Sequence, residues 1–170
     1  MFFLLPSNVK SSRFKNKEIY PTESNKRVAR VALLTGCVQT VLSPQINDST
    51  IRVLNRHGVE VVDLKQINCC GSLDHHMGKE DLATSVFRQN ILAWYDEYLN
   101  KGLDAIISNT SGCGTTLKDY GFIFREDKEF SKKAKKISDL TKDISEYLSE
   151  NIKLKFNQSE KEKIKSYRIA

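Results

Sequence analysis

Short apolar runs alternate with longer amphipathic segments through the middle of this 170-residue chain. Three runs rich in Val, Ile, Leu and Ala predict buried strands over 30–36, 59–64 and 103–108. Each run is too short for a helix of ordinary length, and a polar or glycine-containing segment follows each one. We therefore expect three strands that are covered on both faces.

Between these runs, apolar residues recur about every three or four positions over 43–57 and 80–99, which predicts helices. A further helix is predicted from Gly112 to Lys118, and two more within 127–150. The order β-α-β-α-β-α is typical of α/β proteins, so we predict a small three-layer fold with a parallel sheet and additional C-terminal helices.

Charge divides the chain into a folded middle and two basic ends. The net charge of +6 comes from residues 1–30 (net +5) and 151–170 (net +4), whereas residues 31–150 carry net −3. We interpret 1–27 as a poorly ordered basic linker, 28–150 as the domain, and 151–170 as a charged tail that ends in a strand-like run over 167–170. Because the folded part lacks a basic surface, we expect no nucleic-acid partner.

Targeting and cofactor motifs narrow the function classes further. No apolar run approaches the roughly 20 residues of a transmembrane helix, and the apolar start Met1–Leu5 lacks the basic segment of a secretory signal. A cytoplasmic location is therefore expected, where cysteines more often bind metals or act as redox thiols than form disulfides. The sequence also contains no GxGxxG, Walker A, nucleophile-elbow or HExxH motif.

The four cysteines follow the predicted strands. Cys37 lies just after the first strand, Cys69 and Cys70 in the loop after the second, and Cys113 in the loop after the third. Because the carboxyl ends of parallel strands meet at one edge, we expect four thiols up to 76 positions apart in sequence to converge there.

Converging thiols suit zinc, copper(I) or an iron–sulfur cluster, and four of them can complete a four-thiolate site. A role as small core residues is the alternative. The glycines beside the cysteines favour the metal site, since they let backbone amides approach the sulfurs. These glycines are Gly36, Gly71, Gly112 and Gly114.

Other polar residues near the same edge are weaker candidates. His75 and His76 are interpreted as exposed loop residues, with ligation or proton transfer as the alternative. Gln39 and the segment 109–111 could hydrogen-bond cluster sulfurs, although 109–111 also fits a helix N-cap.

The residues around the cysteines carry a family resemblance. Cys37, then 31 residues, Cys69-Cys70-Gly71, then 41 residues and Cys113 resemble the cysteine-rich CCG domain of heterodisulfide reductases and of iron–sulfur subunits of membrane-linked dehydrogenases. Over about 28–150 the chain also resembles the glycolate oxidase iron–sulfur subunit family. The segments that carry it are Leu33-Leu-Thr-Gly-Cys-Val-Gln39, Thr50-Ile-Arg-Val-Leu-Asn-Arg-His-Gly58, His75-His-Met-Gly78 and Ser111-Gly-Cys-Gly-Thr-Thr-Leu-Lys-Asp-Tyr-Gly121.

The resemblance implies an electron-transfer module in an oxidoreductase, without a substrate site of its own. Its cofactor would be an iron–sulfur cluster of the [4Fe–4S] type, held by Cys37, Cys69, Cys70 and Cys113. Flavin-containing glycolate oxidase subunits would be its partners, and electrons would pass towards a quinone-type acceptor. Peripheral association with the inner membrane is implied in the same way.

Two departures from the family pattern leave alternatives open. The pattern closes with Cys-x-x-Cys, but here Thr110 and Thr116 flank Cys113 at that spacing. The family protein also carries a ferredoxin-like domain and a second CCG repeat, so we expect this chain to be a fragment with one repeat, those parts being supplied by separate chains. The alternatives are a zinc-binding or metal-free docking module, a thiol redox enzyme using Cys69 or Cys70, and a non-functional remnant.

Overall fold

Five strands form one sheet in the computed structural model, which describes residues 18–22, 26–67, 69–153 and 158–166. The sheet order is β1-β3-β2-β4-β5, and β3, β2, β4 and β5 are parallel neighbours, whereas β1 pairs antiparallel with β3. The α/β prediction is confirmed, with one antiparallel edge strand added. In chain order the strands are β1 (Ile19–Tyr20), β2 (Ala29–Leu34), β3 (Val59–Val62), β4 (Ala105–Ser108) and β5 (Thr141–Asp143).

Helices connect and cover these strands. Within the described ranges no helix combines the length and apolarity needed to cross a bilayer. The helices are α1 (Cys37–Leu42), α2 (Pro44–Arg56), α3 (Ser72–His76), α4 (Glu80–Lys101), α5 (Ser111–Ile123), α6 (Ser131–Leu140), α7 (Ile144–Asn151) and α8 (Gln158–Ser166).

Neighbouring strand residues face opposite layers, and both layers are apolar. Ala32 and Leu34 of β2 belong to the larger core cluster with α4, α5 and α6, whereas Val31 and Leu33 belong to a second cluster with α2 and α7. Trp94, Phe87 and Tyr120 are the largest fully buried side chains of the first cluster. The sheet is therefore the middle of three layers, which explains why its strands are apolar on both faces.

The structure corrects several expectations of secondary structure. β1 lies within 1–27, β5 interrupts the helical pattern of 127–150, and α8 occupies part of the charged tail. β1 and β5 have two and three residues, too few to show a period in the sequence. The predicted strand at 167–170 lies outside the described residues.

A buried ion group fixes the start of β2 against α4. The Arg30 side chain is only 6% exposed and bonds Glu97, Glu60 at 2.8 Å and the Gly102 carbonyl at 2.9 Å. Burial alone would raise the pKa of Glu97, but hydrogen bonds from Arg30 and Lys101 outweigh it and the pKa is lowered. The pair thus stays ionised inside the fold.

In Glu97→Leu, the buried guanidinium of Arg30 loses one carboxylate, and Glu60 is the one described carboxylate that still bonds it. Because a buried charge that loses its partner is costly, we expect the free energy of unfolding in urea to fall by about 2 kcal/mol. Glu126→Leu is the control, since the Glu126 side chain is 90% exposed. Equal losses in the two variants would contradict a structural role for the Arg30–Glu97 pair.

Candidate metal centre

The cysteines lie beyond the carboxyl ends of β2, β3 and β4. Cys37 begins α1, Cys69 and Cys70 precede α3, and Cys113 is the third residue of α5. Cys37 and Cys113 therefore lie in the first turns of helices; the sequence predicts the helix that contains Cys113, whereas it does not predict α1. Both α1 and α5 start almost immediately after their strands, which is why the loops are so short.

The structure brings the four thiols together as two pairs. Cys37 Sγ lies 3.7 Å from Cys69 Sγ, and Cys70 Sγ lies 3.0 Å from Cys113 Sγ. All four are free thiols; Cys37 is exposed, Cys70 is buried, and the other two are half-buried. The adjacent residues Cys69 and Cys70 thus contact different partners.

Contacts within the pairs polarise the thiols. The hydrogen bond that Cys70 donates to Cys113, together with burial, raises the pKa of Cys70, and the same hydrogen bond lowers the pKa of Cys113. Burial and the contact with Cys69 raise the pKa of Cys37. Cys113 is therefore the member of its pair that loses its proton more readily, and it lies in the first turn of a 13-residue helix, where a negative charge is favoured.

Backbone amides approach two of the sulfurs at a tight turn. Gly71 N–H points to Cys69 Sγ at 3.3 Å, and Ser72 N–H points to Cys70 Sγ at 3.4 Å. Gly71 has φ +78°, and a Cβ added there would lie 2.6 Å from Phe87 Cε1. Only glycine can therefore carry the chain from the Cys-Cys pair into α3 without displacing the core.

The other three glycines that lie beside cysteines in the sequence have different surroundings. Gly36 precedes α1 with φ +73°, and a Cβ on Gly114 would lie 3.3 Å from the Ser108 side chain. A Cβ on Gly112 would meet open space. The requirement for glycine is thus strongest at Gly71.

The two histidines lie on α3 rather than in a loop. The His75 ring packs edge-on against Phe87, with centroids 5.6 Å apart, and lies 5.6 Å from the His76 ring. A ligand role for either histidine remains a prediction.

The amides near the edge bond to one another. The Gln39 side chain donates to Asn47 at 2.8 Å and to Asn109, and Thr110 Oγ1 donates to Gln39 at 2.7 Å. Thr110 is the N-cap residue of α5, yet its side chain makes no cap hydrogen bond. This network joins the start of α1 to the segment before Cys113. Asn47 is a buried polar residue of α2, and the sequence alone does not indicate that it belongs to this network.

The threonines at the family's expected thiol spacing also have hydrogen-bond partners. Thr116 Oγ1 lies 2.9 Å from Ser72 Oγ and donates to the Gly112 carbonyl at 3.1 Å, and Thr110 bonds Gln39. Both hydroxyls thus contribute to the frame around the thiols.

The donor set fits a soft metal centre. Four thiols, with amide donors aimed at two of them, match the thiolate ligands and sulfur hydrogen bonds of iron–sulfur clusters. Among the described residues, no three Cys, His, Asp or Glu side chains lie close enough to coordinate one ion together. In a cluster each thiolate binds its own iron, so the four sulfurs need not converge on a single point.

A partly buried acid, Asp63, follows β3 at the same edge. Burial raises the pKa of Asp63 from 3.8 to about 6, against a hydrogen bond from the Thr35 side chain that lowers it. The sequence places Asp63 near the end of the predicted strand 59–64, but it gives no sign that this carboxyl has a functional or titrating role.

Comparison with known proteins gives one family and several relatives. The profile of the CCG cysteine-rich domain matches residues 31–118. The glycolate oxidase iron–sulfur subunit of Escherichia coli (strain K12) is 38% identical over 121 residues, which is 71% of this chain and 30% of that protein. The probable glycolate oxidase iron–sulfur subunit of Bacillus subtilis (strain 168) is 30% identical over 155 residues, 91% of this chain and 33% of that protein.

A more distant relative is lactate utilization protein A of Bacillus thuringiensis (strain Al Hakam), 24% identical over 126 residues, 74% of this chain and 50% of that protein. This chain spans 30% and 33% of the two glycolate oxidase subunits. No solved structure matches the chain significantly.

Gly71→Ala tests the turn after the cysteines. The left-handed backbone and the contact with Phe87 together predict a loss of about 2–4 kcal/mol in the free energy of unfolding. Gly78→Ala is a matched control, because Gly78 has φ +72° but no atom within 4 Å of an added Cβ, and should cost about 1 kcal/mol. Urea denaturation of both variants measures the difference. Similar losses would show that the contact between an added Cβ and Phe87 does not contribute to the cost of the substitution.

Asp63→Asn tests the buried acid. Since the folded pKa of about 6 exceeds the ordinary 3.8, the folded state binds the proton more tightly, and the stability of the wild type falls as the pH rises through this window. We expect the Asn variant to gain on the order of 1 kcal/mol over the wild type at pH 7, and the gain to vanish below pH 3.8. Urea unfolding across this range measures it, with exposed Asp119→Asn as the control; a pH-independent difference would contradict the prediction.

Proposed function

The chain belongs to the cysteine-rich CCG domain family, and on that premise we propose that it is an iron–sulfur electron-transfer module of a glycolate oxidase type of oxidoreductase. The observation that carries the proposal is the gathering of four thiols from three separate parts of the chain at one edge of the sheet, in two pairs. The names of the Escherichia coli and Bacillus subtilis relatives support iron and sulfur as the bound group.

Cys37, Cys69, Cys70 and Cys113 are the residues that would hold a [4Fe–4S]-type cluster. Such a cluster supplies reversible one-electron transfer when bound. The chain's own contribution is to orient the thiols and to aim the amides of Gly71 and Ser72 at two sulfurs, where they would donate hydrogen bonds to bound thiolates. Substrate oxidation itself would belong to a flavin-containing subunit, because hydride chemistry needs a cofactor of that kind.

Exposed apolar side chains near the cysteines support a partner subunit at this edge. Val38 is 61% exposed on α1, and Leu73 and Met77 are 68% and 58% exposed on and just after α3. α1 begins at Cys37, and α3 begins two residues after Cys70. An apolar surface next to a redox centre suits a protein that hands over electrons, since burial there excludes water. We propose that this surface is covered by the flavin subunit, or by separate chains with a ferredoxin-like domain and a second CCG repeat. In this proposal the complex lies in the cytoplasm, and electrons leave it towards a quinone-type acceptor.

Anaerobic purification followed by iron, zinc and sulfide analysis tests the proposal. We expect about four irons with matching sulfide per chain, together with visible absorption that bleaches on reduction. Stoichiometric zinc would contradict the electron-transfer role and favour the zinc-binding docking module. A metal-free chain that stays without iron after reconstitution with iron and sulfide would contradict it too.

Single Cys→Ser variants at the four positions identify the ligands. We expect each to lose half or more of the bound iron, since removing a thiolate opens the site, while exposed Ser49→Ala keeps the full amount. A Cys→Ser variant that retains all its iron and an unchanged spectrum would remove that cysteine from the ligand set.

A further inference from the structure

Two buried polar side chains hold the backbone of the Cys69-Cys70 pair. Asn90 Nδ2 donates to the Cys69 carbonyl at 2.8 Å, and Tyr120 Oη donates to the Cys70 carbonyl at 2.8 Å. Asn90 Nδ2 also donates to Tyr120 Oη at 3.1 Å, so the two donors are joined to each other. Asn90 is 2% exposed and Tyr120 is fully buried.

The Cys-Cys pair needs such support for a geometric reason. The two side chains have different partners, because Cys69 Sγ contacts Cys37 Sγ and Cys70 Sγ contacts Cys113 Sγ. The rotation of each peptide plane decides where its sulfur lies. A hydrogen bond to each of the two carbonyls fixes both planes, and the turn at Gly71 then directs the chain into α3.

The donors are rigid because their helices are part of the core. Asn90 lies on α4 and Tyr120 on α5, and the Tyr120 ring packs against Phe87 with centroids 4.7 Å apart. Neither hydroxyl nor amide could leave its carbonyl without losing a buried hydrogen bond. The support thus comes from two helices rather than from the loop itself.

We propose that Asn90 and Tyr120 are positioning residues that hold the Cys69-Cys70 peptide planes, and through them the two thiols, in the arrangement a metal centre uses. The metal-binding part rests on the proposed function. The placement of the thiols does not, and it can be measured on the metal-free chain.

The first test is the reaction rate of the thiols with an aromatic disulfide reagent in the reduced, metal-free chain. In Tyr120→Phe and Asn90→Leu we expect Cys69 and Cys70 to react about fivefold faster, since each variant loses the hydrogen bond to one cysteine carbonyl and the bond that joins the two donors, which lets the segment open more often. Mass spectrometry after partial reaction identifies the modified cysteine. Tyr120→Phe keeps the ring and its packing, so it preserves the fold if Asn90→Leu does not.

The chain offers a matched control for each variant. Like Asn90, Asn55 is a buried amide that donates two hydrogen bonds; it lies on α2, and its acceptors are the carbonyls of Tyr20 at 2.9 Å and of Val59 at 3.0 Å. Tyr147 is a buried tyrosine of the second core cluster. Asn55→Leu and Tyr147→Phe should leave the thiol rates unchanged even where they lower stability. Equal acceleration in the control variants, or none in Asn90→Leu and Tyr120→Phe, would overturn the proposal.

A second readout follows if the chain binds a cluster. Tyr120→Phe should retain its iron content but shift the reduction potential and the electron paramagnetic resonance spectrum of the reduced protein, whereas Tyr147→Phe should leave both unchanged. A wild type that takes up no iron overturns the proposed function alone, because the thiol rates still decide the positioning role. Unchanged potential and spectrum in Tyr120→Phe, with unchanged thiol rates, would overturn the positioning role alone.

Discussion

The parallel register of β2 with β3 and β4 is the constraint on which the rest of the structure depends. Ala32 is opposite Val62 and Leu34 is opposite Ser108, so the three strands end close together along the sheet. The chain leaves each strand at the same edge, and within a few residues it reaches a cysteine or the loop that contains two. Thiols distant in sequence meet because the strands end together, and no local motif is required.

The thiol pairs are continuous with the hydrophobic core rather than attached to its surface. Cys70 is only 4% exposed and belongs to the same cluster as Phe87, Ile106 and Leu117. Its partner Cys113 is partly buried against that cluster. Stability and thiol geometry are therefore coupled on this side, whereas the exposed Cys37 can adjust without disturbing the core. The Cys70–Cys113 pair is therefore the more rigid of the two, and the Cys37–Cys69 pair is the one that could adapt to a bound metal centre.

The sequence predicted those parts of the fold that have a strong local pattern. The apolar runs at β2, β3 and β4 and the period of α4 are visible in the chain, and the parallel order of the strands follows from their alternation with helices. The burial of Phe87, Ile91 and Trp94 follows from the same period. Tertiary partners could not be predicted in this way. Asn90 and Tyr120 are 21 and 50 positions from the carbonyls they bind, and nothing in the local pattern pairs them. The sequence also suggests that a cysteine is either a ligand or a core residue, but Cys70 combines features of both. It is buried in the core, and its Sγ contacts the Sγ of Cys113. Amide–carbonyl and thiol–thiol contacts depend on how helices cross, and helix crossing has no one-dimensional signal.

The two outer strands of the sheet have a consequence for how copies of this chain behave next to one another. β1 and β5 contain two and three residues, and β5 carries Lys142 at its centre. A long, flat, uncharged border would offer its unpaired amides and carbonyls to any passing chain and would favour aggregation through intermolecular strand pairing. Here the longer apolar strands are interior, both described border strands are short, and β5 is charged as well. Over the residues that the structure describes, thiols are thus gathered at the carboxyl end of a sheet whose two lateral edges offer little backbone for intermolecular strand pairing.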